Sequence, residues 1–105
     1  MFAADVLVAA GFEVIEANDA AEALSVLEAQ NATICVLFTD IHMPGPIDGL
    51  TLAHHARRKW PGIGVLVTSG KDRPERSALP PKCRFLPKPY DLSLVVKHVR
   101  ELAGL

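Results

Sequence analysis

Three observations predict an α/β protein built on a parallel sheet. Helical and extended hydrophobic patterns alternate along the 105 residues, the signature of that class. Three short apolar runs, at residues 34–38, 63–67 and 85–87, each run directly into polar residues. The first of them is apolar without alternation, as expected of a strand covered on both faces.

The elements follow in order. Phe2, Val6 and Ala9 recur at helical spacing and Gly11 supplies a stop. Residues 12–16 read as a short strand. Asp19 and Glu22 form a capping box ahead of Ala20, Leu24 and Leu27 on one helix face. Residues 34–38 are the next strand. Asp48 caps a helix running to about Trp60, where Pro61-Gly62 ends it, and residues 63–67 form a further strand. Residues 71–82 are interrupted by Pro74, Pro80 and Pro81. They leave room for a short helix around residues 75–79, or for an irregular loop. Leu92, Val95, Val96, Val99 and Leu102 make the clearest amphipathic helix, led in by Asp91.

Half of the residues are apolar, enough for a core, and the length is that of one domain, residues 1–105, with no output domain. A net charge of −1 argues against a nucleic-acid surface. Arg57-Arg58-Lys59 and the basic residues of 71–76 read as solvated helix ends and loops. Cys35 and Cys83 match no metal spacing or disulfide framework; Cys35 reads as a small core hydrophobe and Cys83 as a loop thiol open to reaction. No segment reaches membrane-spanning length and no leader precedes the body, so a cytoplasmic location is expected.

The chemistry lies at the strand ends. In an open parallel sheet the carboxyl ends of the strands line one crevice, where ligands bind. Asp40 follows the first apolar run, Thr68 the second and Lys88 the third. An aspartate there is often only a turn or helix cap. Here Met43-Pro44-Gly45-Pro46 keeps the loop off helical geometry and leaves the carboxylate exposed. A carboxylate is a competent nucleophile toward phosphorus, giving an acyl phosphate. It needs fixed positive charge and a divalent cation, because phosphoryl transfer is catalysed by positioning and charge neutralisation. Lys88 supplies the charge and Thr68 a hydroxyl for a phosphoryl oxygen. The Lys88-Pro89 bond is a candidate for the cis form.

Taken together, Thr39-Asp40-Ile41-His42-Met43-Pro44 with Asp48-Gly49, then Val67-Thr68-Ser69-Gly70, then Phe85-Leu86-Pro87-Lys88-Pro89-Tyr90 make the chain resemble the receiver domain of two-component response regulators. The resemblance covers essentially the whole chain. It implies a flavodoxin-like, doubly wound parallel sheet in three α/β/α layers, with strand order 2-1-3-4-5. It implies that Asp40 is the phosphoacceptor, supplied by a histidine kinase or phosphotransfer protein. Thr68 and Lys88 would bind the phosphoryl group and Phe85 would be the switch aromatic. Asp40 and the backbone carbonyl of His42 would belong to a Mg2+ shell. Output would be contact with a downstream protein, without nucleic acid or membrane.

The sequence departs from that pattern in three places. The family's first strand and its magnesium-binding acidic pair would lie before Met1, and Asp5 sits too far along the first helix to replace the pair. Mg2+ would then keep Asp40 as its carboxylate and bind weakly or not at all, which counts against phosphorylation of this form. Strands 2 and 3 would close the gap, or another chain would fill it, for example in a homodimer, or the sequence is a truncated form. The interval from Asp40 to Gly49 carries one extra residue, through Pro46. The proline-rich segment 71–82 replaces the usual fourth helix and puts a conventional dimer through that face in doubt.

The leading expectation is a phosphorelay receiver. The alternative is a pseudo-receiver, a binding module that works without phosphate. A flavodoxin-like flavin carrier shares the fold but lacks a Gly-rich phosphate loop. His54 and His55 diverge around their helix and cannot chelate one metal together. His98 reads as solvated, and Trp60 as packing over a helix end.

Overall fold

The computed structural model describes residues 3–70, 74–75 and 78–105. Helix α1 spans Ala3–Ala9, α2 Ala20–Gln30, β1 Val36–Asp40, α3 Gly49–Lys59, β2 Gly64–Ser69, β3 Cys83–Pro87 and α4 Leu92–Leu102. A short 3-10 turn, Asn31–Thr33, follows α2.

Each long helix starts at the aspartate the sequence marks out. The Asp19 carboxylate accepts from the Glu22 backbone N–H at 2.8 Å, Asp48 from that of Thr51 at 2.8 Å, and Asp91 from that of Ser93 at 3.0 Å. An N-cap carboxylate satisfies a backbone donor that the first turn leaves orphaned. Trp60 is the C-cap of α3, its N–H bonded to the Ala56 carbonyl at 2.8 Å. Its ring packs against the core beside α3 and lies under the Lys59 ammonium, 5.1 Å away.

Among the described residues the sheet has three parallel strands in the order β1-β2-β3. Val36 pairs with Gly64 and Asp40 with Thr68; Val65 pairs with Cys83 and Ser69 with Pro87. Alternate residues of each strand face opposite layers. Leu66 and Leu86 pack with Leu7, Val95 and Val99 of α1 and α4. Val65 and Val67 pack with Ile41 and with Ala53 of α3, joined by Phe85 and Cys83. Leu27, Ala23, Leu52 and Ala56 join α2 to α3. The result is helix, sheet, helix, in three layers.

Two expectations change. Residues 12–17 form no strand, although Phe12 and Val14 pack against the α1–α4 core as strand residues would. A strand exists only through its neighbour's hydrogen bonds, and no strand lies alongside this segment among the described residues. Among the described residues the sheet therefore keeps the 3-4-5 part of the strand order expected from the resemblance. The short helix or loop expected within residues 71–82 lies partly outside the described residues. Its described part is irregular, closed by an Ala78 N–H to Glu75 carbonyl bond of 2.8 Å and by Lys82 at φ 60°.

Candidate functional site

The carboxyl ends of the three strands bring Asp40, Thr68 and Lys88 to one edge of the sheet, because the strands are parallel and in register there. Asp40 is the last residue of β1. Its side chain is 31% exposed and forms an ion pair with the Lys88 ammonium through Oδ2. The other oxygen, Oδ1, accepts from the His42 backbone N–H at 3.0 Å. A carboxylate offers about four acceptor positions, so both oxygens keep a lone pair for an incoming electrophile.

Lys88 is held in place by its backbone, whose N–H donates to the Ser69 carbonyl at 3.0 Å. The bond that follows it, Lys88-Pro89, is cis, as the sequence suggested. Thr68 is buried, and its hydroxyl donates to the Leu86 carbonyl at 2.5 Å. The structure therefore places Thr68 beside Asp40 in register without joining their side chains. Phe85 is half-buried on the α3 side of the sheet, away from the α1–α4 core.

The loop after Asp40 depends on a close approach. Gly49 begins α3 directly over β1, where its N–H donates to the Ile41 carbonyl at 2.8 Å. A Cβ at Gly49 would stand 1.8 Å from the Asp40 carbonyl oxygen. Gly45, at φ +98°, supplies the left-handed turn between Pro44 and Pro46, a region glycine enters without steric cost. Thr39, buried beneath the loop, donates its hydroxyl toward the Asp40 carbonyl at 3.0 Å and contacts the Met43 sulfur at 3.2 Å. Asp48 is held below the usual carboxylate range by the Thr51 backbone N–H that it caps.

Several residues take roles that local patterning does not carry. Arg57 is a clamp and not a solvated helix end. Its guanidinium donates to the carbonyls of Pro61 and Ile63, both at 2.8 Å, and to that of Pro81 at 3.0 Å. His54 bonds the Ala78 carbonyl at 2.7 Å, so α3 holds the proline-rich segment at two points. The His55 ring meets Trp60 edge-on at 5.9 Å. His98 is half-buried rather than solvated, 3.1 Å from Arg84, which also pairs with Glu101 at 2.6 Å. Burial, reinforced by the Arg84 charge, moves His98 below the ordinary histidine value.

The cysteines reverse their expected places. Cys35 is exposed, because it precedes β1 at the uncovered edge of the sheet. Cys83 opens β3 and is half-buried, and that burial pushes its thiol up to about 11. It is the less reactive of the two, since the thiolate is the nucleophile. The signal that separates them is strand position, which composition does not reveal.

The family model of the response regulator receiver domain matches residues 2–100. The chain belongs to that family. Receiver structures share its fold closely. The response regulator receiver protein from Sinorhizobium medicae WSM419 superposes with a TM-score of 0.88 at 29% identity, covering 97% of this chain and 82% of that one. The receiver domain of NtrX from Brucella abortus gives 0.85 at 25% identity, over 97% and 87%.

Among curated proteins, this receiver is 33% identical over 96 residues to the sensor kinase CckA of Brucella abortus (strain 2308), covering 88% of this chain and 10% of the kinase. It is 29% identical over 103 residues to the CAI-1 autoinducer sensor kinase/phosphatase CqsS of Vibrio cholerae, covering 93% of this chain and 15% of that protein. The receiver thus spans a small part of the length of those relatives. No helix among the described residues is long and apolar enough to cross a membrane.

Receiver domains are phosphoacceptor signalling domains and generally bind Mg2+ at an acidic pocket. Mg2+ demands near-octahedral oxygen ligands. At this strand edge Asp40 offers one carboxylate, and Lys88 already occupies one of its oxygens. Among the described residues no group of three or more His, Cys, Asp or Glu side chains is placed to hold an ion. With the His42 carbonyl added, most of the octahedron would still fall to water. This donor set does not fit a resident magnesium site.

Proposed function

We propose that Asp40 is the residue that accepts the phosphoryl group, from a histidine kinase or a phosphotransfer protein. The observation that carries this reading is the Lys88 ammonium paired with the Asp40 carboxylate across the strand ends. An exposed carboxylate fixed beside a cation is arranged for nucleophilic attack on phosphorus. A lone pair of an Asp40 oxygen forms the new O–P bond while the donor's N–P bond breaks, and the electron pair of that bond returns to the donor's imidazole nitrogen. Lys88 offsets the negative charge gathered on the equatorial oxygens, the positioning and neutralisation such transfers rely on. Thr68 then gives its hydroxyl to a phosphoryl oxygen in place of the Leu86 carbonyl. That exchange touches β3 next to Phe85, the proposed switch aromatic, and output passes to a downstream protein by surface contact. The chain acts as a phosphoacceptor, with no catalysis beyond its own phosphorylation and dephosphorylation.

The test is intact-mass analysis after incubation with acetyl phosphate and magnesium, beside an Asp40→Asn control. One added phosphoryl group in the parent, absent from the control, is expected. Label that persists in Asp40→Asn would overturn the assignment of the acceptor. A second reading, a pseudo-receiver that binds partners without phosphate, is favoured by the single-carboxylate donor set at the strand edge. It predicts no uptake by protein shown to be folded.

A further inference from the structure

Within β1, Thr39 alone is buried, and its partner in the ladder is Val67. At 5% exposure it carries a hydroxyl where valine, of nearly the same shape, would pack with no polar group to satisfy. Strand preference does not separate the two residues, since both are β-branched. What distinguishes Thr39 is the bond its hydroxyl makes.

That bond goes to the Asp40 carbonyl, at 3.0 Å. The Met43 sulfur lies 3.2 Å away, but a hydroxyl has one proton and a thioether is the weaker acceptor. The same peptide unit is held at its other end, where the Ile41 N–H donates to the Thr68 carbonyl at 2.9 Å. The plane between Asp40 and Ile41 is thus fixed twice, by Thr39 within β1 and by Thr68 across the ladder. Gly49 closes over the same carbonyl, leaving no room there even for a Cβ.

This plane sets the direction of the Asp40 carboxylate. Oδ1 accepts from the His42 N–H at 3.0 Å, two residues on, which closes a ring of the Asx-turn kind through the Asp40–Ile41 peptide. Rotation of that peptide would open the ring and take the donor away from Oδ1. With the ring closed, Oδ2 is left turned toward the Lys88 ammonium. We propose that Thr39 is a positioning residue for the Asp40 carboxylate, its hydroxyl holding the peptide on which this ring is built. Its effect on phosphoryl uptake rests on Asp40 being the phosphoacceptor. A nucleophile that must meet phosphorus in line loses rate steeply when it is misplaced.

Two substitutions separate positioning from packing. Thr39→Val keeps the shape and removes the hydroxyl, whereas Thr39→Ser keeps the hydroxyl and removes the methyl. Packing alone makes valine the better replacement at a buried strand position, for stability and uptake alike. Positioning reverses that order at the site. With acetyl phosphate and magnesium, folded Thr39→Val should take up the phosphoryl group about tenfold more slowly than the parent. Its His42 amide should exchange about fivefold faster. Thr39→Ser should stay within about twofold of the parent in both, with a denaturant midpoint below that of Thr39→Val.

Parent-like exchange at His42 in Thr39→Val would overturn the proposal. So would uptake by Thr39→Val at the parent's rate, or a Thr39→Ser variant that loosens His42 as much as Thr39→Val does. Should Thr39→Val not fold, Thr39→Ser decides alone: parent-like exchange at His42 supports the role of the hydroxyl, and faster exchange overturns it. Exchange at His42 involves no phosphate. A parent that takes up no phosphoryl group would therefore end the reading of Asp40 as acceptor, while His42 exchange would still decide whether Thr39 holds its carboxylate.

Discussion

β1 and β2 are neighbours of similar composition, VLFTD beside GVLVTS, and they live in different environments. All six residues of β2 are buried, between two strands and two helical layers. In β1 only Thr39 is buried, although Leu37 and Phe38 are at least as apolar as their partners Val65 and Leu66. The difference comes from what stands on the outer side of each strand. Val36, Leu37 and Phe38 pack against the core on their faces, but with no neighbouring strand on the outer side among the described residues they are covered only in part, whatever their intrinsic preference.

The sharpest test of that contrast truncates leucines on both strands. Leu66→Ala empties a fully buried site and is expected to cost about 4 kcal/mol, whereas Leu37→Ala, half-exposed, should cost about 2 kcal/mol or less. Denaturant melts of the two variants measure the gap. Equal losses would mean that the β1 edge is covered in solution.

Next in size is the point where β1 is tied down. Gly49→Ala drives a Cβ against the Asp40 carbonyl, and about 3 kcal/mol of overpacking is expected there. The strain falls on the loop that carries Asp40 and His42. Phosphoryl uptake should therefore fall even at temperatures where the variant remains folded, which a purely global loss would not produce.

The smallest effect is the cap that aims α3 at β1. Asp48→Ala should cost about 1 kcal/mol by melting midpoint. The folded carboxyl of Asp48 lies below its unfolded value. Its contribution is thus present at neutral pH, begins to fade as pH falls through the unfolded value, and is gone below the folded one. The stability difference between parent and Asp48→Ala should accordingly shrink on acidification below about pH 5. A difference independent of pH would assign the effect to packing instead.

Much of the fold is legible locally. The three helix-starting aspartates, the break at Pro61-Gly62, the strand ends at Asp40, Thr68 and Lys88 and the cis Lys88-Pro89 bond all appear where the residues indicate. Each depends on chemistry within a few positions, such as a carboxylate within reach of the next turn's N–H. The candidate site was legible for the same reason, since parallel strands in register bring their ends together once they exist.

What tertiary structure alone decided was which groups met a distant partner. Residues 12–17 have the composition of a strand and, among the described residues, no ladder to join. Cys35 is apolar in its surroundings and exposed, while Cys83, placed in a loop by its neighbours, is half-buried in β3. Arg57 finds three carbonyls up to 24 positions away, and His98 finds Arg84. Sequence by itself determined the capped helices, the apolar runs and the residues at their ends, because those follow from nearest-neighbour sterics and hydrogen bonding. Burial and pairing are properties of the packed sheet, set by which strands lie side by side.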